Sequence, residues 1–255
     1  MPTVSEIRSQ CLAWAPPYWK EEWDNVGLLC GRAGSEVRRV IVSLDVTAAV
    51  AEEAKGFGAE LIVSHHPLLF SADNLSDETA DGALLLYLAQ NDIAVISLHT
   101  NLDSAPGGVN DVLARRLDLE EIRTFDGGDH GIGRIGTVPE QSLGAFARFV
   151  RERLGADGVR YADGGRPVHR VAVGGGSCMD FLPQALEAGC DTFVTGDIKY
   201  HQFQKAAKLG VNLIDAGHFP TEDPVCTVLC DYLSGKFPEI EVKKSEVHCD
   251  CVKFA

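Results

Sequence analysis

Apolar runs of strand length recur along the chain, and several end in residues that can do chemistry. Val37-Arg38-Arg39-Val40-Ile41-Val42-Ser43-Leu44-Asp45 reads as a strand, residues 48–55 as a helix, and Gly58-Ala59-Glu60 leads into a second strand, Leu61-Ile62-Val63-Ser64. This is the pattern of a βαβ unit. The second strand stops at His65-His66-Pro67. A helical stretch over 83–90 then precedes Ile93-Ala94-Val95-Ile96-Ser97-Leu98, which opens into His99-Thr100-Asn101-Leu102-Asp103.

The same order returns further along. Val168-His169-Arg170-Val171-Ala172-Val173 predicts a strand, 181–188 a helix, and Thr192-Phe193-Val194-Thr195 a strand that ends in Gly196-Asp197. A helix over 202–209 and the run Val211-Asn212-Leu213-Ile214 follow, opening into Asp215-Ala216-Gly217-His218-Phe219-Pro220-Thr221-Glu222. Aligned without a gap, Gly58-Ala59-Glu60 falls on Gly189-Cys190-Asp191, and His65-His66 on Gly196-Asp197. The expected fold is α/β: two related three-layer α/β/α lobes from an internal duplication, 1–125 and 126–255, with a metal site in the cleft between them. The first lobe would carry His65, His66 and Asp103, and the second His218 and Glu222. The glycine-rich stretch from Asp126 to Gly136 follows no strand-to-helix pattern, so a hairpin or an interlobe crossing is expected there rather than a dinucleotide loop. Gly174-Gly175-Gly176 lacks the lysine of a phosphate loop, although its amides could line a pocket.

Composition narrows the class. With 255 residues, 45% of them hydrophobic and 24% charged, the chain reads as a globular protein, and no stretch approaches the ~18 apolar residues of a membrane span. A formal charge of −14 disfavours polymeric nucleic acid and anionic membrane surfaces. A small phosphorylated ligand is compatible with it, held by cations or by a local pair such as Lys199 and Arg134. The eight cysteines are scattered and read as reduced thiols, in keeping with a cytoplasmic location. Cys226 and Cys230 have the spacing of one helix face. Cys249-Asp250-Cys251, preceded by His248, suits either a metal or the alternation of a terminal strand.

Imidazoles and carboxylates together suit borderline first-row cations: zinc, iron, manganese or nickel. His65 and His66 are adjacent, so at a strand end they could reach two ions lying side by side. His218 and Glu222 are four apart and share a face if a helix begins there, for which Pro220 near the first turn is suited. Asp103 can bridge two cations with its two oxygens. Three imidazoles and two carboxylates can hold two divalent ions per chain and leave positions for water and substrate.

Trp23-Asp24-Asn25-Val26-Gly27-Leu28, Ser64-His65-His66-Pro67-Leu68, Leu98-His99-Thr100-Asn101-Leu102-Asp103, Gly133-Arg134-Ile135-Gly136, Thr195-Gly196-Asp197 and Gly217-His218-Phe219-Pro220-Thr221-Glu222 resemble the successive signatures of the NIF-three-like dinuclear metal proteins, often labelled GTP cyclohydrolase 1 type 2 homologues. The resemblance implies that His65, His66, Asp103, His218 and Glu222 are metal ligands, in agreement with the chemical reading. It also implies a homohexamer. Longer members insert a domain between the halves, for which the 85 residues between Asp103 and Gly189 leave no room.

Three further residues are candidates for catalysis. His99, four before Asp103, is either an outer partner of the metals or a buried histidine satisfied by a carbonyl. Asp197 and His201 stand at the strand end that mirrors His65-His66, or else serve as a helix cap and a surface histidine. The leading expectation is a dinuclear metal-dependent hydrolase acting on a small metabolite, by ring opening of a nucleotide such as GTP or by phosphoester hydrolysis. The alternative is a non-catalytic metal- or metabolite-binding scaffold.

Overall fold

Val40, Ile41, Val42, Leu61, Ile62, Val63, Val95 and Ile96 have no solvent exposure, as continuous apolar runs require when both faces of a parallel sheet are covered. The computed structural model describes residues 1–70, 75–125 and 127–255. These form two units: Met1–Leu102 with Val225–Cys249, and Asp103–Pro224 with Asp250–Ala255.

The first unit contains α1 (Val4–Trp14), β1 (Gly27–Cys30), β2 (Arg39–Ser43), α2 (Ala48–Phe57), β3 (Leu61–Ser64), α3 (Ala80–Gln90) and β4 (Ala94–Ser97). The short helix α4 (Thr100–Ser104) carries the chain across the boundary. The second unit continues with α5 (Val109–Arg116), β5 (Glu120–Arg123), β6 (Arg134–Gln141), α6 (Leu143–Leu154), β7 (Arg160–Ala162), β8 (Val168–Val173), α7 (Leu182–Glu187), β9 (Thr192–Thr195), α8 (Tyr200–Lys208), β10 (Asn212–Asp215) and α9 (His218–Glu222). Finally α10 (Pro224–Lys236) leads to β11 (Glu241–Lys244).

Each unit is built on one mixed sheet. The first has strand order β1-β4-β3-β2-β11 and the second β5-β6-β8-β9-β10-β7. Within each, three successive strands joined by helices run parallel: β2, β3 and β4 in one, β8, β9 and β10 in the other. Both expected βαβ units are therefore present, and they share local devices. Gly58 and Gly189 both take left-handed conformations, with φ of 71° and 76°. Glu60 accepts the amides of Arg38 and Arg39 at 3.0 and 2.9 Å. Asp191, its partner in the sequence alignment, accepts those of His169 and Arg170 at 3.1 and 2.7 Å. In each unit this carboxylate ties the entry of one strand to that of its neighbour.

The division at 125/126 differs from the observed one. β11 pairs in parallel with β2, so Val225–Cys249 belongs to the first unit, while Asp103 belongs to the second. Strand pairing is set by packing between distant segments, which a local pattern does not register. Asp126, with which the second half was expected to begin, lies outside the described residues. The described glycine-rich residues after it lead to β6, which pairs antiparallel with β5; of the hairpin and the interlobe crossing expected there, that pairing fits the hairpin.

Candidate metal centre

In the first unit, Ser43 is in register with Ser64, and Ser64 with Ser97. Each strand end therefore presents its next residues at the same level: Asp45 after β2, His65 and His66 after β3, His99 after β4. Ser64 and Ser97 bond through their hydroxyls at 2.8 Å, and Ser64 also donates to the carbonyl of His66 at 2.8 Å. The histidine turn is thus fixed from below.

All three imidazoles are held through Nδ1. His65 Nδ1 lies 2.8 Å from the carbonyl oxygen of Leu98; a carbonyl only accepts, so the proton sits on Nδ1 and Nε2 carries the lone pair. His66 Nδ1 is 2.6 Å from Asp45 Oδ1, and His99 Nδ1 is 2.8 Å from Asp24 Oδ1. Burial raises the cost of ionising Asp24, but hydrogen bonds from His99 and Thr100 outweigh it and bring its pKa down to about 2. Asp45 is likewise lowered: its burial is overcome by His248, whose Nε2 is 2.9 Å from Oδ2, and by His66. Both carboxylates are therefore anionic partners that orient a ring. His65, His66 and His99 each offer a ligand atom within 4.8 Å of the others.

The second unit supplies carboxylates. In the single turn of α9, His218 Nε2 lies 2.9 Å from Glu222 Oε2, and His218 Nδ1 lies 2.7 Å from Asp197 Oδ2. Glu222 is 4% exposed, and it offers a carboxylate oxygen within 4.8 Å of one from Asp103. The glycines of residues 174–176 explain how Glu222 fits. A Cβ on Gly176 would collide with the Glu222 carboxylate and stand 3.0 Å from His218 Cε1, and one on Gly175 would be 3.2 Å from Glu222 Cγ. Asn110 ties this loop to α4: its Oδ1 accepts from Gly175 N at 2.9 Å and its Nδ2 donates to Asp103 O at 3.0 Å. Burial, then the charges of Asp103, Glu222 and Asp180, push the Cys178 thiol well above its usual range. It is no thiolate.

Several expectations change on this geometry. His99, offered either an outer role or a carbonyl partner, is instead paired to a carboxylate and stands beside His65 and His66. Asp197 caps no helix; it takes a left-handed φ of 55°, uncommon outside glycine, and holds His218. His201 is exposed on α8 and belongs to none of the three sets of potential ligands among the described residues. The amides of 174–176 do not line a pocket, because Val194 O, Asn110 and Thr221 accept them. Arg134 is not a phosphate ligand. It is 3% exposed and forks onto Asp111 at 3.1 and 3.0 Å, with further bonds to the carbonyls of Gly131 and Gly133. Among the described residues no set of potential ligands contains a cysteine, and Cys249 and Cys251 are exposed thiols.

The supporting residues Asp24, Asp45 and His248 escaped sequence reasoning as partners of the histidines. The available signal was position: Asp45 directly follows the strand that neighbours β3.

This donor set fits a first-row divalent cation, since each imidazole that would bind through Nε2 has its other nitrogen committed to an acceptor, the usual support of a metal-bound histidine. Fold and site together define a mixed α/β protein of two sheets whose strand ends carry histidine and carboxylate groups suited to metal. The sequence profile of the Duf34/NIF3 (NGG1p interacting factor 3) family matches residues 2–250, and the chain belongs to that family. It is 37% identical over 218 residues to a GTP cyclohydrolase 1 type 2 homolog of Clostridium perfringens, covering 83% of each chain. With the homolog of Streptomyces coelicolor it shares 37% identity over 238 residues, 89% of this chain and 84% of the other. The crystal structure of a Bacillus cereus protein related to NIF3 superposes with a TM-score of 0.94 at 26% identity, covering 100% of this chain and 99% of that one. Among the described residues no helix is long and apolar enough to cross a membrane.

Proposed function

We propose that the protein is a metal-dependent hydrolase of a small metabolite, in which His65, His66, Asp103, His218 and Glu222 serve one centre of two divalent cations. The observation that carries this reading is the committed Nδ1 of each imidazole, engaged by Leu98 O on His65, Asp45 on His66 and Asp197 on His218. Such fixed rings present Nε2 as a ligand and would need little reorganisation to take a cation. Zinc, iron, manganese and nickel suit the mixed donors. When bound, they supply Lewis acidity and make water a nucleophile near neutral pH.

The chain's own residues then have distinct tasks. Asp103 and Glu222, whose carboxylate oxygens lie within 4.8 Å of one another, would hold the cations and offset their charge. His218 Nε2 and Glu222 Oε2, 2.9 Å apart, are the atoms that would hold a cation on that side. Asp24 and His99 form a carboxylate–imidazole pair, and His99 is the group we assign to proton transfer. Asp45, Asp197 and Asp24 act by positioning. The name of the relatives supports a nucleotide such as GTP as first substrate, with a phosphoester next, and family membership supports assembly as a homohexamer.

Metal analysis of protein purified without chelators should give two ions per chain, with Asp103→Ala lowering both. Metal-loaded protein should convert GTP or a phosphoester, and His99→Ala should abolish turnover with metal retained. A stoichiometry of one that added zinc, manganese or iron does not raise would refute the paired centre. Two ions with every nucleotide and phosphoester recovered unchanged would make the protein a metal- or metabolite-binding scaffold instead.

A further inference from the structure

Trp23 is 63% and Phe70 57% exposed, yet neither belongs to a loose surface. The residue after Trp23, Asp24, is 6% exposed and accepts hydrogen bonds from His99 Nδ1 and from the amide and hydroxyl of Thr100. Asn25 follows and donates through Nδ2 to Leu69 O at 2.9 Å, so the segment carrying Trp23 is bonded to the segment carrying Phe70. The two rings are 5.9 Å apart, and each meets the ring of His99, at 5.7 and 5.9 Å. His99 in turn lies 5.3 and 5.6 Å from the rings of His65 and His66.

Leaving an indole and a phenyl ring in water forfeits the burial that a large aromatic side chain normally gains. Here Asp24, which follows Trp23, and the bond from Asn25 to Leu69 O, which precedes Phe70, fix the segments that carry the two rings. Neither ring stacks on His99, to whose plane they stand at 74° and 67°, and with both residues more than half exposed aromatic surface beside His99 faces solvent. A planar ring can lie on such a surface, and stacking on aromatic side chains does not require a particular base.

We infer that Trp23 and Phe70 are a stacking platform for a planar nitrogen heteroaromatic ring, of the nucleobase class, in the molecule that reaches His99 and the metal ligands. This rests on the hydrolase reading only in placing the ring beside bound cations.

The test uses full-length zinc-loaded protein and titration calorimetry with GMP, AMP and FMN as ring-bearing probes and ribose 5-phosphate as the probe without a ring. Trp23→Ala and Phe70→Ala should each weaken the ring-bearing probes about 5- to 100-fold, leaving ribose 5-phosphate affinity and zinc content unchanged. Trp23→Phe should restore most of the loss. The platform is overturned if no ring-bearing probe binds, if the alanine variants bind them as before, or if both classes of probe weaken equally. It is also overturned if the variants change the oligomeric state by light scattering, for the rings then cover a second copy. Ring-bearing probes that bind stripped and loaded protein alike, with the same loss in the variants, would keep the platform and remove its link to the metals.

Discussion

Asp45 holds two histidines at once, His66 through one oxygen and His248 through the other. Removing its charge leaves the His66 ring without the partner that sets its tautomer, so Asp45→Asn should lower metal affinity about 10- to 100-fold. Competition against a chelator measures this, with two ions still bound at saturating metal. Glu53, on α2, is a different kind of carboxylate. Burial works against its ionisation, but hydrogen bonds from Ser245, the Glu246 amide and Lys243 prevail and hold it below its ordinary value of 4.5. A lowered native pKa means stability that is present above the unfolded value and lost as pH falls through the folded one. Glu53→Gln should therefore cost about 1–2 kcal/mol at neutral pH, a difference that begins to shrink as the pH falls below 4.5 and is lost as it passes through the lower folded value. Urea denaturation across that range checks it.

Elements were legible wherever local chemistry decides them. The helix expected from 83 begins at Ala80 because the Thr79 hydroxyl accepts the Gly82 amide at 3.1 Å, a cap that the sequence displays. The spacing of His218 and Glu222 did mark a helical turn, and they meet on it. Arg134 shows the opposite case, since the sequence offered it with Lys199 as a cation for a phosphorylated ligand, whereas on β6 it is buried and paired with Asp111 of α5. Its guanidinium links these elements through Asp111 and also reaches the carbonyls of Ser104 and Ala105 at 3.5 and 3.3 Å. Arg134→Met should destabilise the protein by about 3–5 kcal/mol, because Asp111 is left buried without its counter-charge. Thermal or urea unfolding will show it, and adding Asp111→Leu should return part of the loss.

For the whole molecule, the homohexamer we propose predicts that light scattering coupled to size exclusion returns six chain masses; a monomer across a wide concentration range would oppose it. The sequence alone carried the two βαβ units, because continuous β-branched runs, helix caps and glycines at left-handed corners are all local signals. It also carried the ligand candidates, since His-His-Pro, the Asp after His99 and the His218–Glu222 spacing are compositional facts. Only the tertiary structure decided that the C-terminal strand joins the first sheet, that Asp103 belongs to the second unit, that Arg134 is enclosed and that Asp24 and Asp45 hold the imidazoles. Those outcomes depend on which distant backbones pair and which side chains meet across them, and packing free energy summed over the whole fold settles that where no local pattern can.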